Sequence, residues 1–277
     1  MANVCVITGG GGGLGLATVK NTDKSIILVL AGRTEEKLLS AKELLEADGH
    51  EVHPVVCDVS VRRDVHELCL EAKKLGTIKS VVHAAGISTA SGGPEEIIRI
   101  NAVGTKNVNM EFYKYMDEGG AIVNIADSLA GQIPKSFLKK QDIYQQAEYE
   151  EDKFIHDMTG TAGFYSGDDN IKLNLAYALS KDFVVWYAQK CAHEYAAKGI
   201  RVVSVSPGLI ETDMSSMEAE DVQDVINNTC AGRMGKPEEL GFAIATIADE
   251  RNGYLCGIDV LIDGGASTGK QFKKKME

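Results

Sequence analysis

The stretch Thr8-Gly9-Gly10-Gly11-Gly12-Gly13-Leu14-Gly15 decides the fold of this chain. It directly follows the short apolar run 4–8, and an apolar helical pattern begins at its end. Glycine has no Cβ, so such a loop lets a ligand approach the backbone closely, and the first amides of the following helix bind a pyrophosphate. A flexible linker would not be flanked by a strand and a helix. The context therefore predicts a dinucleotide-binding loop.

The five consecutive glycines satisfy three known spacings of such loops at once. These spacings are Gly10-x-Gly12-x-x-Gly15, Thr8-Gly9-x-x-Gly12-x-x-Gly15 and Thr8-Gly9-x-x-x-Gly13-x-Gly15. Spacing alone does not choose between them.

Outward from the loop, short β-type runs alternate with helical stretches along nearly the whole chain. The candidate strands are 4–8, 26–31, 51–57, 80–83, 121–125, 202–206 and 260–262. This alternation predicts an α/β fold with a doubly wound parallel sheet of about seven strands and helices on both faces. No internal repeat or low-complexity linker interrupts the pattern, so we expect one dinucleotide-binding catalytic domain over residues 1–277.

Composition and charge exclude several classes of protein. The 277 residues are 44% apolar and 25% charged, which is typical of a folded chain. The formal charge of −11 repels polyanions, so we expect no nucleic-acid partner. The chain start lacks a basic segment followed by an apolar run, and no stretch approaches the roughly 18 apolar residues of a membrane span. We therefore expect a cytoplasmic protein without a membrane partner.

The cysteines do not indicate a metal site. They are scattered without a Cys-x-x-Cys pair or a histidine at ligand spacing, so we expect reduced and mostly buried side chains and no bound metal. The six are Cys5, Cys57, Cys69, Cys191, Cys230 and Cys256.

The end of the second predicted strand bears on the choice of cofactor. An acidic residue ordinarily binds the ribose 2′-hydroxyl of NAD here, but this chain has Arg33 after Gly32. A guanidinium matches a 2′-phosphate, so NADP(H) is favoured over NAD(H). The alternative is that Arg33 only ends the strand while Glu35 or Glu36 binds the ribose.

With these features the sequence resembles the short-chain dehydrogenase/reductase family. The third glycine spacing is that family's, and further matches follow in family order from Val4 to Gly265. The matching segments are Asn101-Ala102-Val103-Gly104, Pro207-Gly208 through Thr212, and Asp263-Gly264-Gly265. One match departs from the pattern: His83-Ala84-Ala85-Gly86 has a histidine where the family's Asn-Asn-Ala-Gly begins, which puts the strand-bracing role of that asparagine in doubt.

The resemblance implies a Rossmann-type fold and the interconversion of a secondary alcohol and a ketone, with hydride exchange at a nicotinamide. It implies that Asp58 and Val59 contact the adenine and that the segment from Pro207 to Thr212 holds the nicotinamide amide. The full set of cofactor-binding residues implied is Gly9, Gly13, Leu14, Gly15, Arg33, Asp58, Val59, Ala85, Gly86, Asn101, Tyr177, Lys181, Pro207, Gly208, Ile210 and Thr212.

A Tyr-x-x-x-Lys pair, the family's catalytic motif, occurs twice. Tyr149 and Lys153 lie in an acidic segment that we expect to be exposed, whereas Tyr177 and Lys181 begin a long apolar helix, so we assign the second pair. Residues four apart share a helix face. A cation about 4 Å from the phenol contributes about 4 kcal/mol at an effective dielectric constant of about 20, or about three pKa units. Tyr177 is then predicted to act as a general acid and base.

Two further catalytic residues follow from the resemblance. Ser128, which precedes x-x-Gly131, would donate a hydrogen bond to the substrate oxygen, and Asn101 would hold a water in the proton relay from Lys181. Asp127 stands where a small serine is common and could perturb the charge of the pocket, but we expect its side chain to point to the surface.

Ser128 and Tyr177 are 49 positions apart, which leaves an insertion of about 132–172 between the fifth strand and the helix with Tyr177. Apolar spacing over 134–158 predicts one or two amphipathic helices, and a glycine-rich stretch over 160–170 would return the chain. The insertion resembles a bacterial branch of 3α-hydroxysteroid dehydrogenase/carbonyl reductases.

Two roles of this insertion stay open. With the loop around Met214 and Met217 it would enclose a bulky apolar substrate such as a hydroxysteroid or bile acid. Alternatively it alters subunit contacts, since it abuts helices that many family members use to form homodimers or tetramers. Other functions weighed are a carbonyl reductase of small substrates, a non-catalytic dinucleotide-binding regulator and, from the second glycine spacing, a nucleotide-sugar epimerase.

Overall fold

A seven-stranded parallel sheet forms the centre of the protein. The computed structural model describes residues 2–133, 140–164, 168–212 and 219–273. The sheet order is β3-β2-β1-β4-β5-β6-β7. The strands are β1 (Asn3–Thr8), β2 (Ile27–Gly32), β3 (Val52–Val56), β4 (Thr77–His83), β5 (Ala121–Ile125), β6 (Arg201–Pro207) and β7 (Asp259–Ile262). The predicted doubly wound fold is confirmed.

Helices cover both faces of this sheet. In chain order they are α1 (Gly13–Val19), α2 (Glu35–Ala47), α3 (Arg62–Leu75), α4 (Pro94–Ile97), α5 (Gly104–Tyr115), α6 (Lys140–Gln146), α7 (Glu151–Phe164), α8 (Asp169–Glu194), α9 (Ala219–Asn228), α10 (Pro237–Ala248) and α11 (Ala266–Lys273). A π-helical stretch, Ile98–Val103, joins α4 to α5. Helices α1, α2 and α10 pack on one face, and α3, α5 and α8 pack on the other.

Two apolar layers hold the helices on the sheet. Successive side chains of a strand point to opposite faces, so in β1 Val4 and Val6 join one layer while Cys5 and Ile7 join the other. Burial of each such side chain contributes roughly 1.5–3 kcal/mol. Because helices cover both faces of the sheet, the central strands consist of continuous apolar runs. Their carboxyl ends lie along one edge of the sheet.

The strand order reverses between β1 and β4. The chain leaves β1 toward β2 and β3, then returns to form β4 on the other side of β1. Thr8 and His83, the last residues of β1 and β4, are register partners. At such a reversal the chain leaves the two strands in opposite directions, and ligands of sheets of this kind bind in the crevice outside the strand ends there.

The glycine loop begins at this crevice, and its backbone distinguishes between the glycines. Gly9 has φ +71°, and a Cβ there would lie 2.8 Å from the carbonyl carbon of Ala84. Gly13 also has positive φ, and a Cβ on Gly15 would collide with the backbone of Gly9. Gly12 is extended and faces open space. Two of the three spacings rely on Gly12, so the loop conformation fits the third, Thr8-Gly9-x-x-x-Gly13-x-Gly15.

Side-chain burial matches the interpretation of the cysteines as small apolar residues. Cys5, Cys57, Cys69 and Cys191 are buried, whereas Cys230 and Cys256 are exposed, and all six are free thiols. In the part of the chain that the structure describes, no helix combines the length and the apolar character that crossing a bilayer requires.

Substitution of Gly15 tests the tight approach within the loop. Gly15→Ala should lower the free energy of unfolding by about 2 kcal/mol, because its methyl group overlaps the carbonyl of Gly9 and the backbone must shift. Gly12→Ser also adds a Cβ but places it in open space at a helix N-cap, so it should change stability by less than about 0.5 kcal/mol. Urea denaturation followed by circular dichroism measures both values. Equal losses in the two variants would contradict the described packing.

Candidate active site

The ends of β1 and β4 are joined by a polar contact that involves His83. Its Nδ1 lies 2.8 Å from the Thr8 hydroxyl oxygen, which also accepts a hydrogen bond from the Ala85 amide at 3.2 Å. His83 therefore links the two strands through Thr8. The sequence alone leaves open whether a histidine can take over this strand-bracing role from the family's asparagine. Its Nε2 is buried and has no hydrogen-bond partner among the described residues. Burial lowers the pKa of His83 to about 3, and the charge of Lys181 acts in the same direction. The imidazole is therefore neutral at physiological pH.

Asn101 lies in the π-helical stretch and is fixed by its side-chain amide. Its Oδ1 accepts from the Ile87 amide at 2.8 Å, and its Nδ2 donates to the Ile87 carbonyl at 3.0 Å and to the Ser180 hydroxyl at 3.1 Å. A π turn inserts one extra residue into the helix and is frequent at functional sites. Asn101 thereby ties the loop after β4 to α8.

The backbone of Gly86 lies close to the side chains of Asn101 and Lys181. A Cβ on Gly86 would lie 3.1 Å from the Asn101 Oδ1 and 3.6 Å from the Lys181 Nζ. The space that a side chain would occupy here is therefore bordered by an amide oxygen and an ammonium group. Gly86 and the glycines of the loop 9–15 together form a stretch of bare backbone, here called the cradle. Such a stretch fits an extended dinucleotide, which can approach the backbone closely.

Helix α8 carries Tyr177 and Lys181 to the carboxyl end of β5. The helix was expected to begin at Tyr177, but it begins at Asp169, because the Asp168 carboxylate caps it by accepting from the amides of Asn170 and Ile171. Lys181 donates from Nζ to the Ile125 carbonyl at 3.1 Å, and its Nζ lies 5.8 Å from the centre of the Tyr177 ring. Tyrosine and lysine therefore share one helix face, as predicted.

Asp127 points toward Tyr177, and the expectation that it faces the surface is wrong. The Tyr177 hydroxyl donates to the Asp127 Oδ2 at 2.9 Å, and the Leu129 amide donates to the Oδ1, also at 2.9 Å. The bond from the Leu129 amide closes a local turn, and this turn directs the Asp127 carboxylate toward α8. The neighbouring Ser128 is half-buried, and its amide donates to the Pro207 carbonyl at 2.9 Å.

The electrostatics of this group differ from the sequence expectation. The pKa of Tyr177 lies well above its usual value, because the ring is buried and because the Asp127 carboxylate opposes a phenolate. Lys181 was expected to lower this pKa, but its ammonium group donates to a backbone carbonyl and the carboxylate contacts the phenol directly. Burial raises the pKa of Asp127 and lowers that of Lys181. Shifts of this kind, set by burial and a specific partner in a crevice, are typical of active sites.

The remaining proposed cofactor residues border the same edge of the sheet. Gly208 follows β6, donates from its amide to the Ile262 carbonyl at 2.9 Å and packs against Asp263, where a Cβ would collide. Ile210 pairs with Gly235, and the Thr212 amide donates to the Ile210 carbonyl at 2.8 Å. Met214 and Met217 lie outside the described residues.

At the opposite end of the crevice, Arg33 follows β2 and is exposed. Within residues 2–133 and the other described ranges it has no ion pair, so its guanidinium is available to an anion. Glu35 and Glu36 are exposed in the first turn of α2. Asp58 accepts from the amide and the hydroxyl of Ser60 at 2.9 and 2.7 Å.

Val59, the residue after Asp58, is buried where Gly104 of α5 passes closely. Leu14 is half-buried at the start of α1. The structure thus places the proposed cofactor residues along one edge of the sheet.

The segment between Ser128 and α8 contains two helices, as predicted. Helix α7 extends to Phe164, so the first half of the glycine-rich stretch is helical rather than a returning loop. The Tyr144 hydroxyl of α6 donates to Asp182 at 2.7 Å, and the Tyr187 hydroxyl of α8 donates to Glu148 at 2.7 Å. The Phe154 and Phe183 rings pack at 5.0 Å. Residues 134–139 and 165–167 of this segment lie outside the described ranges.

These contacts fall on one side of α8. Because successive residues of an α-helix are about 100° apart, Asp182 and Phe183 project about 140° and about 120° away from Tyr177, and Tyr187 projects about 80° away. The described helices of the segment therefore lie mainly on the side of α8 that faces away from Tyr177.

The second Tyr-x-x-x-Lys pair is not part of the site. Tyr149 is 84% exposed, and the Lys153 Nζ lies 3.8 Å from an Asp157 carboxylate oxygen. The expectation of an exposed face is confirmed for Tyr149.

One residue and one contact of the site escaped the sequence analysis. Ser180 accepts from Asn101 and donates to the Tyr177 carbonyl at 2.7 Å, and its position three residues after Tyr177 was the available signal. The contact between Asp127 and Tyr177 had no comparable signal, since it depends on a turn and on the approach of α8.

Comparisons with known proteins agree with this geometry. Residues 3–139 match the family model described as short chain dehydrogenase, and residues 161–267 match that described as Enoyl-(Acyl carrier protein) reductase. The chain is 28% identical to the short-chain dehydrogenase/reductase bsc3 of Alternaria brassicicola over 96% of each chain. It is also 28% identical to the 3-oxoacyl-[acyl-carrier-protein] reductase FabG of Thermotoga maritima, over 95% of this chain and 96% of that protein.

A solved structure shares the fold. The short chain dehydrogenase from Burkholderia cenocepacia in complex with NADP superimposes with a TM-score of 0.73 at 21% identity, over 95% of this chain and 97% of that one.

Replacement of His83 tests whether protonation of this buried imidazole destabilises the folded protein at low pH. Its pKa is about 3 in the folded chain against about 6.5 when unfolded, so below pH 6.5 the unfolded chain binds a proton that the folded one excludes. The stability from neutral His83 is present above pH 6.5 and is lost as the pH falls, by up to about 1.4 kcal/mol per pH unit. The His83→Asn variant should not show this fall in the free energy of unfolding, because it has no imidazole at this position.

Urea denaturation at pH 7, 6 and 5 measures the effect. His50, which is also buried and has a lowered pKa, stays in both proteins, so its contribution cancels in the comparison. Parallel pH dependences of the wild type and His83→Asn would show that His83 is not excluded from protonation.

Proposed function

Because the chain belongs to the short-chain dehydrogenase/reductase family, we propose that it is an NADP(H)-dependent oxidoreductase that interconverts a secondary alcohol and a ketone. One observation carries the proposal. Tyr177 and Lys181 share a face of α8 at the carboxyl end of β5, beside the glycine crevice. This places an acid and base group beside the site that fits a dinucleotide.

The proposed catalytic residues divide the work on the substrate. The Ser128 hydroxyl donates to the substrate oxygen and orients it, and the Tyr177 hydroxyl gives that oxygen a proton in reduction or takes one from the alcohol in oxidation. Lys181 contributes positive charge on the same helix face, and Asn101 positions the proton path through its contact with Ser180. A nicotinamide held by the proposed cofactor residues would supply or accept the hydride.

The proposed cofactor contacts follow the cradle. Gly9, Gly13, Leu14 and Gly15 would hold the pyrophosphate at the start of α1. Asp58 and Val59 would contact the adenine; Ala85, Gly86 and Asn101 would line the middle of the crevice; and Pro207, Gly208, Ile210 and Thr212 would bind the nicotinamide amide. Arg33 is exposed and has no ion pair with any residue that the structure describes, which supports NADP(H), because its guanidinium can pair with the 2′-phosphate.

For the substrate we propose a ketone or alcohol with a bulky apolar body, of which hydroxysteroids and bile acids are the first to test. The support is the length and placement of the segment between Ser128 and Tyr177. The described helices of that segment pack away from Tyr177, so the case for a pocket wall does not rest on them. Similarity to a 3-oxoacyl-[acyl-carrier-protein] reductase favours a second candidate, a ketone on a linear thioester.

We propose that the protein forms a homo-oligomer. The surfaces of α5 and α8 that α6 and α7 already cover would not take part in its interface. Lys106 of α5 is 4% exposed and is covered by an ion pair with Glu151 of α7. The covered side of α8 carries Tyr144 and Phe154 from the same segment. A contact between copies would therefore use the outer surface of α6 and α7 or another part of the molecule.

A spectrophotometric assay tests the proposed function. NADPH and NADH absorbance would be followed with hydroxysteroid ketones, 3-oxoacyl thioesters and small ketones in parallel. Turnover of a steroid ketone supports the bulky substrate, and turnover of thioesters alone supports the second candidate. Tight cofactor binding with no turnover of any ketone or alcohol would contradict an enzyme and favour a dinucleotide-binding regulator.

Tyr177→Phe tests the catalytic tyrosine. Loss of the hydroxyl removes the proton donor, so kcat should fall at least about 100-fold, while the Kd for NADPH changes less than about two-fold. Tyr149→Phe is the matched control, because Tyr149 belongs to the exposed second motif, and it should retain wild-type turnover. Substantial activity of Tyr177→Phe would overturn the assignment.

Arg33→Asp tests the cofactor preference. Replacement of a phosphate-binding cation by a carboxylate should shift the ratio of kcat/KM for NADPH over NADH by about 10- to 100-fold toward NADH. Lys74→Asp changes the net charge equally on exposed α3 and should leave the ratio unchanged. An unchanged ratio in Arg33→Asp would show that Arg33 does not contact the 2′-phosphate.

A further inference from the structure

The contact between Asp127 and Tyr177 is unusual for a general acid. The Tyr177 Oη lies 2.9 Å from the Asp127 Oδ2, and the other carboxylate oxygen is held by the Leu129 amide at 2.9 Å. Both oxygens of the carboxyl group are thereby fixed, and the residue is half-buried. A carboxyl in direct contact with the reacting hydroxyl is placed to exchange a proton with it.

We propose that Asp127 is a catalytic residue that supplies, through Tyr177, the proton used in ketone reduction. The proposal rests on the proposed function, because it concerns the same tyrosine and the same reaction. It adds a second acid, directly behind the first, that the sequence pattern did not assign.

The reason is that a phenol has one proton to donate. When Asp127 is ionised, the Tyr177 hydroxyl donates to the carboxylate, and no proton is directed at a substrate oxygen. When Asp127 is protonated, its own O–H donates to the Tyr177 oxygen, and the phenol donates to the ketone. The 2.9 Å distance serves both arrangements, so protonation of Asp127 decides whether Tyr177 faces the substrate as a donor.

The proposed step balances in atoms and charge. The ketone carbon receives a hydride, with its electron pair, from the reduced nicotinamide, and the ketone oxygen receives the Tyr177 proton. The Tyr177 oxygen regains a proton from Asp127, which is left as a carboxylate and is reprotonated by solvent. Alcohol oxidation runs the same transfers in reverse and begins with ionised Asp127.

The surroundings of Asp127 favour its protonated form. Burial raises its pKa, and the Leu129 amide, Lys181, Tyr177 and Ser128 reduce that rise without cancelling it. Of the described groups that face it, Tyr177 and Lys181 come from α8, and Ser128 and Leu129 from its own loop. His83, at the end of β4, interacts with Lys181 and is neutral at physiological pH. The Leu129 amide opposes this rise most strongly, followed by the charge of Lys181.

The proposed roles of Ser128 and Asp127 predict different pH dependences of the reaction rate. A serine hydroxyl binds the substrate oxygen equally at all pH values between 5 and 9. A carboxyl that must be protonated makes reduction fall as the pH rises through its pKa, and makes oxidation rise over the same range. Kinetics in both directions therefore separate the two residues.

The first experiment compares Asp127→Asn with the wild-type enzyme over pH 5 to 9. The amide keeps the shape of the side chain but cannot exchange a proton, so kcat for reduction at low pH should fall at least about ten-fold. The KM for NADPH should stay within about two-fold, and the pH step of the wild type should disappear. Asp127→Ser provides a smaller replacement should the amide prevent folding.

Asp182→Asn is the matched control. It removes the charge from a bond of the same kind, in which the Tyr144 hydroxyl donates to Asp182 at 2.7 Å, on the side of α8 that faces away from Tyr177. It should keep both the rate and the pH profile of the wild type. Equal losses in Asp182→Asn and Asp127→Asn would reduce the effect to helix packing and overturn the proposal.

A readout without turnover comes from NMR of the protein labelled with 13Cζ-tyrosine, without cofactor. The Tyr177 resonance, identified by its absence in Tyr177→Phe, should move with the ionisation of Asp127 and should lose that step in Asp127→Asn. A Tyr177 resonance that does not titrate in an active enzyme would contradict the role of Asp127 alone. An enzyme with the titration step but no turnover of any carbonyl compound would contradict the proposed function itself.

Discussion

The approach of two strand ends sets the geometry of the whole molecule. At the carboxyl ends of β1 and β4, Gly9 packs against the backbone of Ala84 so closely that a Cβ has no room. The Thr8 hydroxyl bonds both His83 and the Ala85 amide across the same junction. Since the chain turns in opposite directions on the two sides of this junction, the loops diverge and leave the crevice in which we place the dinucleotide.

From this junction a series of polar contacts runs to α8, the helix with Tyr177 and Lys181. Asn101 binds the backbone of Ile87 beyond β4 and reaches Ser180 on α8, one residue before Lys181. Lys181 in turn donates to the Ile125 carbonyl at the end of β5. The buried side chains of Asn101, Ser180 and Lys181 each have a hydrogen-bond partner, and these bonds hold α8 at the edge of the sheet.

Local patterns predicted the fold because its determinants are local. Alternating apolar runs and a glycine loop between a strand and a helix specify a doubly wound sheet, and four-residue spacing puts Tyr177 and Lys181 on one helix face. The orientation of Asp127 was not predictable in this way, because it depends on a turn closed by the Leu129 amide and on the tertiary position of α8. The same holds for the sign of the pKa shift of Tyr177, which burial and that carboxylate determine.

The central claim is that this site transfers hydride between a nicotinamide and a carbonyl carbon. The most direct test is a single turnover with NADPH deuterated at C4 of the nicotinamide and a ketone that the enzyme binds, followed by mass spectrometry of the product. The account predicts one deuterium at the carbinol carbon of the product alcohol. Tight binding of NADPH with no labelled alcohol from any ketone of the panel would contradict it.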